Sequence, residues 1–461
     1  MKNLNKKLRF NVSAIIFIIV FLQLYITYGR GFLSWRNFTI FVLACVSIFL
    51  IISRSRSGLV KTTFTLALIP IIPDPLGGIP VCCLTLLLCF AIYGIILRPH
   101  ESIGLGLVTN FNIAILSFTV LIAGIVNWTQ GNTVFLFAWA YGLLLILMSI
   151  RTFPNIISSS ELLNSYWVGS SITCILGLLL FLFPSVKLPG ISVSVNYAYQ
   201  IGNQSYSRYS GILGDYELYG QFCGLSSLVS LYIALTAGNS RRVVAGYMTF
   251  LISIQQLLLT GTRSSLFLTM FFSSLLVIHA SKNQVKKTVR LPLIMVLILL
   301  AGANLKSAIS QSGSISRTDE ALNNISSAFN SARGELWQYF ISQISGEMIK
   351  IPEHLQFPIS EFGALPHSLP LALVFMLGIF PFISFMIIVL IPLVVLSRER
   401  SLQNFLLKIL LAQLLLESLK VEAIRLPQYL TVFFTLVGLC YVSVVETHER
   451  QKLKRKIEGS K

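Results

Sequence analysis

A histidine, a few arginines and a few carboxylates stand in a chain otherwise suited to hydrocarbon, and their types define the chemistry available. His367 lies in LPHSLPLALVFMLG, after a proline and at the mouth of an apolar run. An imidazole with a pKa near neutrality can take a proton from an attacking hydroxyl. Arg208 opens RYSGILGDYELYGQF, which carries Asp215 and Glu217 into the first turns of an apolar segment. Arg263 sits in LLLTGTRSSLFL, a tight turn between two apolar runs. Guanidinium groups are planar, permanently charged donors suited to phosphate oxygens. Held together, these groups could bind an anion beside a general base.

Each also has an ordinary reading. Asp215 and Glu217 suit a helix N-terminus, with Arg208 paired to one of them. Arg263 can snorkel to an interface. A histidine at the mouth of a span is often only a hydrogen-bonded interfacial residue. In RGELWQYF, Arg333 and Trp337 stand one helical turn apart. They form either a guanidinium and an aromatic plate for a sugar or an anchor in the headgroup region.

The elements that must position these residues are membrane helices. Of 461 residues 55% are hydrophobic and 11% charged, and the mean hydropathy is +0.78, values that a soluble domain does not tolerate. Apolar runs place spans near 12–29, 37–53, 62–73, 79–97, 106–126, 133–150, 166–184, 212–237, 243–260, 264–280, 291–304, 367–396, 404–418 and 427–445. The third is short and ends in IIPDPLGGIP, so 12 to 14 crossings are expected in a single all-α polytopic domain over 1–461. MKNLNKKLRF leads into a first helix read as retained, because TYGRGF offers no small-residue cleavage site.

The net charge of +18 is topological. About two thirds of the 35 Lys and Arg gather in the tails and in alternate short turns, such as 281–290. Nothing beside them signals nucleic acid. The positive-inside rule then puts both termini in the cytoplasm and the loops 185–211 and 304–366 outside. Within the longer loop, Leu322, Ile325, Phe329, Leu336, Phe340 and Ile344 recur at threes and fours, as in amphipathic helices lying on a membrane. The seven cysteines lie in or beside apolar segments without metal-ligand spacing, so neither a disulfide framework nor a zinc site is expected. No internal repeat of the kind many transporters carry is visible.

In order and character these pieces resemble the bacterial O-antigen polymerase and O-antigen ligase superfamily. RYSGILGDYELYGQF resembles its first motif, with Asp215 and Glu217 where members often carry asparagines. LLLTGTRSSLFL resembles its Thr-Gly-Ser-Arg turn, with Thr262 in the serine position, and ARGELWQYF its Arg-Trp segment. The family's His-[Asn/Ser/Gln]-x9-Gly-x2-[Gly/Thr/Tyr] signature falls on His367, Ser368 and Gly378 and departs at Pro381. The similarity covers roughly 200–381.

The resemblance implies an inverting glycosyltransferase of the bacterial inner membrane, with its active site facing the periplasm. It would take a glycan from undecaprenyl pyrophosphate, without cofactor or metal. His367 would be the base, and Arg208 and Arg263 would hold the pyrophosphate. Arg333, Trp337, Asp215, Glu217 and Ser368 would contact substrate. Trp167 is a further candidate for sugar contact, and Glu417, Glu422 and Arg425 for completing the cavity. A chain-length regulator is the implied protein partner. Fourteen spans, and no soluble domain after the last, favour a polymerase over a ligase. A lipid-linked oligosaccharide flippase is the competing class, and its arginines would line a central cavity.

Overall fold

The computed structural model describes residues 56–69, 106–127, 133–183, 195–201, 204–283, 337–343, 368–398, 401–421 and 427–458. The expected spans near 12–29, 37–53, 79–97 and 291–304, and most of the 304–366 loop, lie outside the described residues. What is described is helical almost throughout, because in hydrocarbon a backbone satisfies its own polar groups most simply within a helix.

The helices begin with α1 (Arg56–Leu66), α2 (Gly106–Asn127), α3 (Thr133–Arg151) and α4 (Ser159–Leu182). An antiparallel hairpin follows, β1 (Val195–Ile201) with β2 (Gln204–Tyr209). After it come α5 (Tyr216–Thr236), α6 (Ser240–Thr260) and α7 (Arg263–Asn283). The last four are α8 (Leu369–Leu377), α9 (Ile379–Leu396), α10 (Leu402–Ser418) and α11 (Pro427–Glu458). Helices α4, α5, α6, α7, α9 and α11 are long and apolar enough to cross a membrane, so the chain is an all-α multi-pass membrane protein.

Polar residues beside the apolar runs set where helices start. Ser158 Oγ accepts the N–H of Glu161, Asn239 Oδ1 that of Arg241 and Ser401 Oγ that of Asn404. Each fills an acceptor place that the first turn lacks. Some boundaries differ from those expected from hydropathy. α4 begins at Ser159, inside the stretch 151–165 expected to be a turn, and α1 begins at Arg56, inside the expected turn 53–61. α11 runs on to Glu458, past the expected end at 445, through Glu449, Arg450 and Lys452, which are good helix formers in water.

The expected span 367–396 is two helices. Gly378, at φ 86° and ψ 170°, ends α8 and starts α9, in a region that only glycine occupies without strain.

α5 and α11 are innermost, each with 94% of its apolar window buried, whereas α7 has 28% and α9 39%. Phe267 and Phe380 accordingly face outward. Lipid tails are as apolar as leucine, so close packing and interhelical hydrogen bonds hold such helices together. Tyr141 Oη and Thr435 Oγ1 bond at 2.8 Å between α3 and α11, and Tyr441 Oη donates to the Ile388 carbonyl of α9 at 2.7 Å.

One end of the bundle is tied by Glu446. Its carboxylate accepts the Ser159 N–H at 2.8 Å and the Ser159 hydroxyl at 2.5 Å, while Gln403 Nε2 donates to the same hydroxyl at 2.7 Å. The starts of α4 and α10 thus meet α11. Glu446→Ala is expected to cost about 1–3 kcal/mol, because the half-buried donors lose their acceptor. A thermal melt in detergent checks this, and an unchanged midpoint would exclude Glu446 as a structural tie.

Since the helices alternate in direction, the opposite end collects the hairpin, the start of α5, the α6–α7 turn and the end of α10. The hairpin lies within the 185–211 stretch expected as an outer loop, for which no strand was foreseen. Val195 pairs with Tyr209 and Tyr197 with Arg208, leaving Asn196 as an extra residue on β1. Tyr209 anchors it. The ring is buried, edge-on to Phe181 and Tyr219, and its hydroxyl donates to the Gly177 carbonyl of α4 at 2.6 Å.

Candidate functional site

Burial pushes the Tyr209 phenol well above its ordinary pKa, so it stays a neutral donor to Gly177. Because Tyr209 points into the bundle, strand alternation sends its neighbour Arg208 to the other face. There the guanidinium lies over the Tyr216 ring, 4.5 Å from its centroid. Between them the chain makes a 3₁₀ turn, Gly211–Leu213, and Gly214 takes φ 72° so that Asp215 can enter α5. Asp215 Oδ1 accepts the N–H groups of Glu217 and Leu218 at 2.9 and 3.0 Å, which makes it the helix cap. Glu217 is buried in the first turn of α5.

The α6–α7 turn rests on the same helix. Gly261 at φ 64° closes α6, and the hydroxyls of Thr260 and Thr262 bond to each other at 2.7 Å. The pair sits against Gly220 of α5, where a Cβ would overlap the Thr262 hydroxyl. Glycine is needed there for closeness of approach. Arg263 follows as the first residue of α7, and its side chain is exposed.

The end of α10 clamps this turn. Glu417, 3% exposed, accepts from Ser265 Oγ at 2.6 Å and from Gln413 Nε2 at 2.8 Å. Gln413 Nε2 also donates to Thr269 Oγ1 at 2.9 Å, and Lys420 Nζ donates to Ser264 Oγ at 3.1 Å. The two residues after Arg263 are therefore bonded to a carboxylate and an ammonium of another helix. A carboxylate beside the first turn of α7 also lies at the positive end of that helix.

Arg208, Asp215, Glu217 and Arg263 thus share one end of the bundle, with Glu417 bonded to Ser265, two residues on from Arg263. Trp337 and Ser368 lie on two other elements that touch each other. Trp337 is half-buried in the short helix 337–343, which meets α8 through Phe340 and Phe375, ring centroids 5.2 Å apart. Ser368 is buried at the N-cap of α8, where its carbonyl accepts the Ala372 N–H at 2.9 Å. His367, Arg333, Glu422 and Arg425 lie outside the described residues.

Trp167 is placed elsewhere than expected. Its indole N–H donates to Thr249 Oγ1 at 3.1 Å between α4 and α6, below the start of both helices at the Glu446 end. It is a packing tie there. Sequence reasoning did not single out Ser264, Ser265, Thr269, Gln413 or Lys420. Their signal is polar residues at helical spacing inside apolar runs, Ser265 with Thr269 and Gln413 with Glu417 and Lys420.

Two guanidinium groups and an ammonium at one end of the bundle are donors of the kind that neutralise a multiply charged phosphate. Set against known proteins, the chain matches no family model and no curated protein.

Proposed function

We propose that the chain is a membrane glycosyltransferase that polymerises undecaprenyl-pyrophosphate-linked oligosaccharide repeat units at the outer face of the bacterial plasma membrane. The observation that carries this reading is the exposed Arg263 on a clamped turn at the same end of the bundle as Arg208. The Lys/Arg-rich turns favour the cytoplasm for the other end, so this surface would face outward. A position at the mouth of the bundle, rather than in a central cavity, supports an enzyme over a flippase.

In this reading the acceptor hydroxyl attacks C1 of the donor sugar as the C1–O bond to pyrophosphate breaks. The hydroxyl proton passes to His367, the configuration inverts, and the electron pair leaves with undecaprenyl pyrophosphate. Arg208 and Arg263 stabilise the charge that grows on the leaving group, where scarce water strengthens the interaction. Arg333 and Trp337 would contact the sugar, with Glu217 and Ser368 lining the approach. A chain-length regulator would act on the same glycan.

Purified protein in nanodiscs, given the cognate undecaprenyl-pyrophosphate-linked repeat unit, should build a glycan ladder on a gel, in EDTA as well as in buffer. His367→Ala should leave the unit unextended. No ladder from folded wild-type protein would remove the polymerase reading. Transfer to lipid A core would then identify a ligase, and movement of the lipid across the bilayer a flippase.

A further inference from the structure

We infer that Glu417 sets the affinity of the anion site, its buried carboxylate, when ionised, weakening the hold of Arg263 and Lys420 on a lipid pyrophosphate so that the spent carrier can leave. This rests on the proposed glycosyl transfer only for the identity of the anion.

The geometry puts charges of both signs on one turn. Glu417 Oε2 accepts a hydrogen bond from the hydroxyl of Ser265, two residues on from Arg263, at 2.6 Å, and Lys420 donates to Ser264 between them at 3.1 Å. When ionised, as at pH 8, a carboxylate 3% exposed is poorly screened by water, so its field then reaches the anion beside Arg263. Unit charges roughly 10 Å apart, at an effective dielectric constant near 20, change an equilibrium constant about tenfold. Tight binding of the carrier would hold both donor and product, and grip that does not grow toward the transition state does not speed the chemistry.

Glutamine can replace the carboxylate without loss of packing. Its carbonyl would accept from Ser265. Gln413 can turn its amide, so that its oxygen, buried and without a hydrogen-bond partner, accepts from the new amide and from the Thr269 hydroxyl. Glu417→Gln therefore removes charge and keeps shape.

The experiment measures binding of undecaprenyl pyrophosphate, free of sugar, to detergent-solubilised full-length protein at pH 8, with a thermal melt of each variant. Glu417→Gln should tighten binding about tenfold, and Lys420→Met should weaken it by a similar factor, both differences shrinking in high salt. Opposite signs are the mark of an electrostatic role, since damage to the clamp would weaken binding in both. Weaker or unchanged binding in Glu417→Gln overturns the inference, and so does failure of that variant to fold. If wild-type protein does not bind the lipid, the glycosyltransferase reading falls as well. If it binds and Arg263→Ala releases it while Glu417→Gln has no effect, this inference falls alone.

Discussion

If the proposed glycan transfer is correct, alanine at Arg263 should lower it about 100- to 1,000-fold, the usual cost of removing one preorganised donor from a developing negative charge, with little change in melting temperature. The second half follows from exposure. The side chain projects from the first residue of α7, whereas the turn is held by Thr260 with Thr262, Ser264 with Lys420 and Ser265 with Glu417. Arg263→Lys should recover only part of the rate, because an ammonium keeps the charge and loses the planar fork. Initial rates of ladder formation at saturating donor, with a melt of each variant, make the measurement. A rate within a factor of two of wild type would exclude Arg263 from the site.

Gly378→Ala should lower both stability and activity. At φ 86° and ψ 170° a Cβ meets the backbone, and holding a non-glycine residue there costs about 1–3 kcal/mol. The alternative is to merge α8 and α9 into one straight helix. That would keep the bond from the Gly378 N–H to the Val374 carbonyl at 2.9 Å and that from Phe382 to the Gly378 carbonyl at 3.2 Å, which already have helical spacing, but would change the direction in which α8 joins α9. In the second case Ser368, one short helix upstream, changes position. A lower melting midpoint together with a slower ladder is the expected result, and wild-type values for both would show that the break between α8 and α9 is dispensable.

Gly378 illustrates what a hydropathy reading can and cannot see. It matched a motif position in the sequence, yet the run 367–396 read as a single span, because apolar content is blind to one residue's φ. The hairpin was missed for a related reason. Strands 195–201 and 204–209 lie in a stretch read only as a connection between apolar runs. Where the helix signal was strong, as in α5, α6 and α7, the expected spans 212–237, 243–260 and 264–280 fall within a few residues of the helices found.

The amino-acid sequence by itself determined the class of structure and the approximate place of its strongest helices, because in a bilayer a long apolar run can satisfy its backbone internally. It also singled out Arg208 and Arg263, since a charge at the edge of hydrocarbon is conspicuous wherever the chain then goes. The tertiary structure decided the rest of the site. Ser265 and Glu417 are 152 positions apart and meet at 2.6 Å, as do Ser264 with Lys420 and Thr269 with Gln413 at similar range. Such pairs depend on which helix faces which and in what register, and that is settled by close packing, as at Gly220 and Gly224 of α5, rather than by any local preference of the residues themselves.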